Sequence, residues 1–360
     1  MEASVNAEGE KRAMKTAMKI VVGTVVLAVA LSLLPGLGDA RKLKKVGLIV
    51  PGPIGDNGWS AAGYQALRNA AKKYGFQASH QENVKPPKAE AALRKFAEAG
   101  YDLVYAHMFV YSEAAARVAK AFPKTKFVVI HGTVRNKTNL ISYQTMTQGG
   151  GFMAGALAAL VSKTGKIGAL GGRPIPPIAD AIAGYVAGAK LVRPDVKVVV
   201  EYTGDFNNTT LAREKALAMI SQGVDVLVQE APPAGVAALK AAQEKGVLAI
   251  GFIRDQHAIA PKAVLSSVKI DFNQVYDKIA AMANGGKWKG GFLRMGFSQN
   301  AVGLAPYHGL ADRVTPKMQA RLDKVRADLI SGKIKAPVAK RRKRKVSFPL
   351  CREGIPGNAA

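Results

Sequence analysis

Aromatic rings stand beside acids and amides at several places in this 360-residue chain. Asp56 and Asn57 precede Trp59 in VPGPIGDNGW, Phe109 lies four residues before Glu113, Phe206 is followed by Asn207, and Arg254, Asp255 and Gln256 follow the apolar run VLAIGFI. Rings of this kind stack on a flat solute, and acids and amides read its polar edge through directional hydrogen bonds. The same carboxylates suit a second chemistry, because Asp56 or Asp255 beside His107 or His131 would make a general-base pair for hydrolysis. Little else supports catalysis. The chain has no GxSxG nucleophile turn and no HExxH, and His80, His107, His131, His257 and His308 are spread without metal-ligand spacing. A binding protein without cofactor or catalytic group is expected, with a hydrolase as its rival.

Each candidate also has a duller use. Asp56 suits the cap of a helix that begins near Ser60, since a carboxylate there accepts from free first-turn amides. Trp59, Phe109 and Phe206 are ordinary core types, and Glu113 falls in the opening turn of a helix, where a carboxylate is favoured anyway. Asp255 is the better candidate, because a charged triplet after an apolar strand seldom serves packing. Gly171 and Gly172 resemble a phosphate-cradling turn only faintly, and no Rossmann fingerprint or P-loop lysine follows.

The elements that position these residues keep one rhythm. Short apolar runs such as KKVGLIVPG, YDLVYAHMF, TKFVVIHGT, TGKIGALGG, VDVLVQEAP and GVLAIGFIRD alternate with helical stretches such as SAAGYQALRNAAKKYG. Buried strands alternating with helices of this length make parallel sheets covered on both faces. The units are too many for one open sheet, so the expected fold is α/β with two doubly wound lobes. One lobe would hold residues 41–148 plus about 265–298, the other 149–264 plus about 299–336, joined by a hinge crossed near 145–151, 262–268 and 296–302. Ligands of such sheets gather beyond the carboxyl ends of the strands, where the unusual residues stand. A single cleft between the lobes would therefore collect them.

The two ends differ from this body. Residues 1–40 place Lys11, Arg12, Lys15 and Lys19 before an apolar run and the small residues GDA, the pattern of an export signal cleaved near Ala40 or of a retained N-terminal anchor. Residues 337–360 form a basic tail with KRRKRK and the only cysteine, Cys351, which excludes an intrachain disulfide. The net charge of +27 belongs mostly to the body between them. Such a surface attracts anionic partners, yet the lysines are scattered and no nucleic-acid motif appears, so no specific nucleic-acid partner is expected.

The strings VGLIVPGPIGDNGW, GFMAGALAALVSKTGKIGALGG, VVVEYTGDF, GVDVLVQ and GVLAIGFIRDQ, in this order and spacing, resemble the basic membrane protein (BMP) family. The resemblance runs from about residue 44 to 335. It implies a type I periplasmic-binding fold and an extracytoplasmic, monomeric solute-binding protein that serves an ABC permease. Its implied solute is a purine nucleoside or base, and the segment WKGGFLRMGFSQNAVGLAPYHGL is similar to a subgroup favouring adenine-like bases. Carried over by position, Asp56 and Trp59 match the first ligand loop, Phe109 and Glu113 the second, Phe206 the stacking aromatic, and Arg254, Asp255 and Gln256 the ribose or ring-edge loop. Two departures stand out. Gly149 replaces a common glutamate, and Arg254 replaces a small residue, which puts a ribose in doubt.

Overall fold

The structure is a computed structural model that describes residues 42–340 apart from Asn57. The leader expected in 1–40 and the tail beyond 340 lie outside the described residues. The first sheet has the order β11-β5-β4-β3-β1-β2, built from β1 (Lys45–Ile49), β2 (Gln77–Gln81), β3 (Leu103–Ala106), β4 (Lys126–Ile130), β5 (Leu140–Thr145) and β11 (Gly291–Met295), all parallel. The strands β3 and β4 are buried nearly throughout, as runs covered on both faces must be. Helices α1 (Trp59–Tyr74), α2 (Ala89–Glu98) and α3 (Ser112–Ala121) supply that cover.

The second sheet has the order β12-β10-β9-β8-β6-β7. Its strands are β6 (Lys166–Gly171), β7 (Lys197–Tyr202), β8 (Val226–Glu230), β9 (Leu248–Ile253), β10 (Val264–Ile270) and the short β12 (Val302–Leu304), which pairs antiparallel to β10. Around it lie α4 (Gln148–Val161), α5 (Pro176–Val192), α6 (Thr209–Ser221), α7 (Gly235–Glu244) and α9 (Pro316–Ile330). Helix α8 (Phe272–Asn284) returns to the first lobe and packs against α1. Tyr105 on β3 and Tyr276 on α8 stack there with ring centroids 3.9 Å apart.

The chain therefore crosses between lobes after β5, between β10 and α8, and between β11 and β12. The middle crossing corrects the expected boundary. Residues 265–270 belong to the second sheet, where β10 pairs with β9 and β12, and the passage occurs at Asp271, whose Oδ1 accepts from Gln274 N (3.1 Å) to start α8. The glycines of TMTQGGGFMAG, beside the first crossing, lie inside α4, where they let two helices touch backbone to backbone. A Cβ on Gly151 would sit 2.0 Å from Ala181 O and one on Gly155 1.9 Å from Tyr185 O, while Gly184 and Gly188 of α5 answer from the other side.

Candidate functional site

Strand ends from both lobes enclose a cavity of about 320 Å³. The first lobe contributes Pro51, Asp56, Trp59, Asn83, Lys85, Met108, Phe109 and His131, and the second contributes Ile175, Phe206, Asn207, Glu230 and Pro232. The lobes nearly touch at its rim, where a Cβ on Gly58 would be 3.8 Å from Pro232 Cβ. Placement of Asn57, expected in this loop, lies outside the described residues.

Trp59 is fixed from two directions. Its Nε1 donates to the backbone carbonyl of His107 (2.5 Å), and its own carbonyl is 3.2 Å from His107 Nε2. A carbonyl only accepts, so Nε2 carries the proton, and Nδ1 accepts from the Tyr276 hydroxyl at 2.9 Å. His107 is wholly buried, and burial, with His131 nearby, lowers its pKa to about 3. It is thus a neutral bolt through Trp59, β3 and α8. Space for it comes from Gly63, one turn after Trp59, where a Cβ would lie 2.7 Å from the imidazole. His131 meets the edge of Trp59 (centroids 5.2 Å, 78°) and its Nε2 is 2.9 Å from Thr145 Oγ1. One edge of the ring lines the cavity, but enclosure of the rest holds its pKa down at about 4. These histidines anchor the ring; among the described residues neither is hydrogen-bonded to a carboxylate that would make it a base.

Phe206 faces the cavity from the second lobe. A Cβ on Gly172 would stand 2.4 Å from its Cε1, so the ring rests directly on the glycine backbone. Gly171 likewise seats Tyr202, with 2.7 Å from such a Cβ to Cε1. The Gly171–Gly172 pair is a platform for aromatic rings, not an anion cradle.

Asp56 lines the cavity but its oxygens accept from Gly58 N (2.8 Å), Ser60 N (2.9 Å) and Ala61 N (3.0 Å). Its carboxylate holds the start of α1, which is the duller use weighed for it. Three further expectations are corrected. Glu113 is exposed on the outer face of α3, away from the cavity, because a first-turn position there points to solvent. Arg254 and Asp255 are exposed and border a different, more open cavity of about 1050 Å³, separated from the first by Ile253 and Ile270. Asp255 is engaged there, with Oδ2 2.8 Å from His308 Nε2 and Oδ1 accepting from His257 N at 3.1 Å. Gln256 turns inward as a core strut, accepting from Gln229 Nε2 (2.6 Å) and Phe252 N (3.0 Å).

Glu230, which stands with Pro232 at a strand end beyond VDVLVQ, is a cleft residue to which the resemblance assigns no ligand contact. It ends β8, is only 6% exposed, lines the cavity, and its Oε2 has no partner among the described residues. Burial, reinforced by Asp180, raises its pKa well above the usual carboxylate range. The available signal was an acid closing an otherwise apolar strand, VLVQE. Among the described residues no cluster of His, Cys, Asp and Glu could hold a metal ion, and no helix is long and apolar enough to cross a membrane.

A family model described as ABC transporter substrate-binding protein PnrA-like matches residues 43–340. A purine-binding protein from Brucella abortus is 29% identical over 317 residues, covering 86% of this chain and 90% of its own. The transcriptional activator protein med from Bacillus subtilis is 28% identical over 309 residues, 85% of this chain and 96% of its own. A solved ABC transporter solute-binding protein from Aeropyrum pernix superposes with a TM-score of 0.73 over 82% of this chain and 94% of its own, at 23% identity, which shows the shared two-lobed fold.

Proposed function

We propose that this chain, which belongs to the family of PnrA-like ABC transporter substrate-binding proteins, captures a purine base between its lobes and hands it to a membrane permease. The family binds solutes and is not one of enzymes. The observation that carries the finer reading is the pairing of rings across the cleft. Trp59 and Phe109 line it from one lobe, Phe206 from the other, and their positions suit the two faces of a planar ring. Its volume, about 320 Å³, is at the small end of ligand pockets, which favours a free base over a nucleoside. The purine named for the Brucella relative points the same way. Arg254 and Asp255, the expected partners of a ribose, border the other cavity, which also favours the base.

Binding in such a cleft requires opening. The solute would enter between separated lobes, settle on one ring, and be covered as the crossings at residues 145–148, 270–272 and 295–302 flex. An extracytoplasmic location, with the chain acting as a monomer, completes the proposal. Calorimetric titration of the refolded, ligand-free chain against adenine, hypoxanthine, guanine, adenosine and inosine tests it. Tight binding of a free base and weak binding of its nucleoside is expected. Preference for the nucleoside would refute the base reading, and no binding at all would remove the purine.

A further inference from the structure

Among the described residues, Glu230 is the buried polar side chain of the cleft that the fold leaves unanswered. Asp56 is taken up by three backbone amides, and His131 by Thr145. Glu230, at the carboxyl end of β8, lines both the cleft and a void of about 10 Å³ behind it, which Tyr185 also lines. Glu230 Oε2 and the Tyr185 hydroxyl are both buried without a partner among the described residues. A buried carboxyl group costs stability unless something bonds to it; Oε2 itself has no accessible surface, so a small turn of the carboxyl toward the cleft, where Glu230 keeps its 6% exposure, is what brings both oxygens to a ligand.

We infer that Glu230 sets the specificity of the cleft as a neutral carboxylic acid, offering a donor and an acceptor side by side to a ligand edge that carries the complementary pair. The inference rests on the purine reading above. An amino group beside a ring nitrogen, as in adenine, or an amide edge, as in hypoxanthine, meets that requirement; an edge with two acceptors does not. Burial favours the protonated form, and the charge of Asp180 on α5, of like sign, favours it further. The other titratable groups around it are Tyr185 on α5 and Tyr202 on β7, with Asp56, Lys85 and His131 across the cleft. Of these, His131 is already uncharged above about pH 4.

The test compares the full-length wild-type chain with Glu230→Gln and Glu230→Leu by calorimetry against adenine and hypoxanthine. A carboxamide keeps the donor–acceptor pair of a neutral acid, as glutamine does when it reads adenine through two bonds, so Glu230→Gln should bind within about threefold of wild type. Glu230→Leu leaves the edge of the base unpaired and should bind at least about tenfold more weakly. Wild-type affinity should fall as the pH is raised through the ionisation of Glu230, while Glu230→Gln stays flat. Equal loss in both variants would mean that a carboxylate charge binds a cationic ligand, and an unchanged Glu230→Leu would make the residue structural; either overturns the inference. A wild-type chain that binds no purine defeats the proposed function instead. In that event the infrared C=O band of a carboxylic acid in the ligand-free chain, lost in Glu230→Gln, still sustains the protonated Glu230, and its absence overturns it.

Discussion

Lowering the pH from 7 to 5 should remove stability through the two histidines that hold Trp59. His107 and His131 have native pKa values of about 3 and about 4, against an ordinary value of 6.5. Both therefore stay neutral in the fold at pH 5 while their unfolded counterparts take up protons. The unfolded state binds more protons below pH 6.5, so stability is complete above that value and falls as the pH drops toward the native pKa values. Each histidine costs about 2 kcal/mol at pH 5, and the pair about 4 kcal/mol, a large part of the roughly 5–15 kcal/mol that holds a domain together. Glu230 works in the opposite direction, since its raised pKa makes the native state keep a proton that the unfolded chain releases. The histidine effect is therefore read as a difference between variants. His131→Asn is the suitable change, because His131 has φ 56°, a left-handed conformation that asparagine tolerates. Urea unfolding of both chains at pH 7 and pH 5 should show His131→Asn losing about 2 kcal/mol less than its parent over that interval. Equal losses would mean that His131 titrates normally in the fold, and the neutral clamp around Trp59 would be refuted.

Three further outcomes follow from particular contacts. Gly155→Ala puts a methyl group 1.9 Å from Tyr185 O, where backbone would have to move, and should cost about 3 kcal/mol or more in urea unfolding; a loss under 1 kcal/mol would show that α4 and α5 separate easily. Trp59→Phe removes the donor to the His107 carbonyl and should lower stability by about 1–3 kcal/mol, with weakened base binding, by unfolding and calorimetry. Asp255→Ala should leave base affinity within about twofold, because Asp255 borders the other cavity; a tenfold loss in titration would return it to the site.

Much of this architecture was legible because strand and helix periods differ and short buried runs announce parallel sheets. Strands such as DLVYAH, the helix ended by Gly75, and the gathering of Trp59, Phe109 and Phe206 at strand ends all followed from pattern. The path of the chain between lobes was not, since VLSSVKI reads equally well as a strand of either sheet until its neighbours are known. Side-chain direction was also hidden. Arg254 and Asp255 stand at a strand end as expected, yet beyond Ile253, the last residue of β9, they border the neighbouring cavity. Asp56 illustrates the limit most directly, since one acid near a helix start fits a ligand contact and a cap equally well, and only its three short bonds to amides decide. Close approach at glycines was hidden for a related reason: Gly151 falls in the first expected crossing and Gly172 at a strand end, and only in space is each a position where another group comes too close for a Cβ.

The central claim is that a flat base is held between rings from the two lobes, and Phe206 is its most exposed test. Adenine titrated by calorimetry into the emptied wild-type chain and into Phe206→Ala, with the fold of each checked by circular dichroism, measures it directly. Loss of one stacked ring should weaken binding by about 1–3 kcal/mol, or roughly one to two decades in Kd, with the fold intact. Equal affinity in the two chains would contradict the account and leave Phe206 as a packing residue over Gly172.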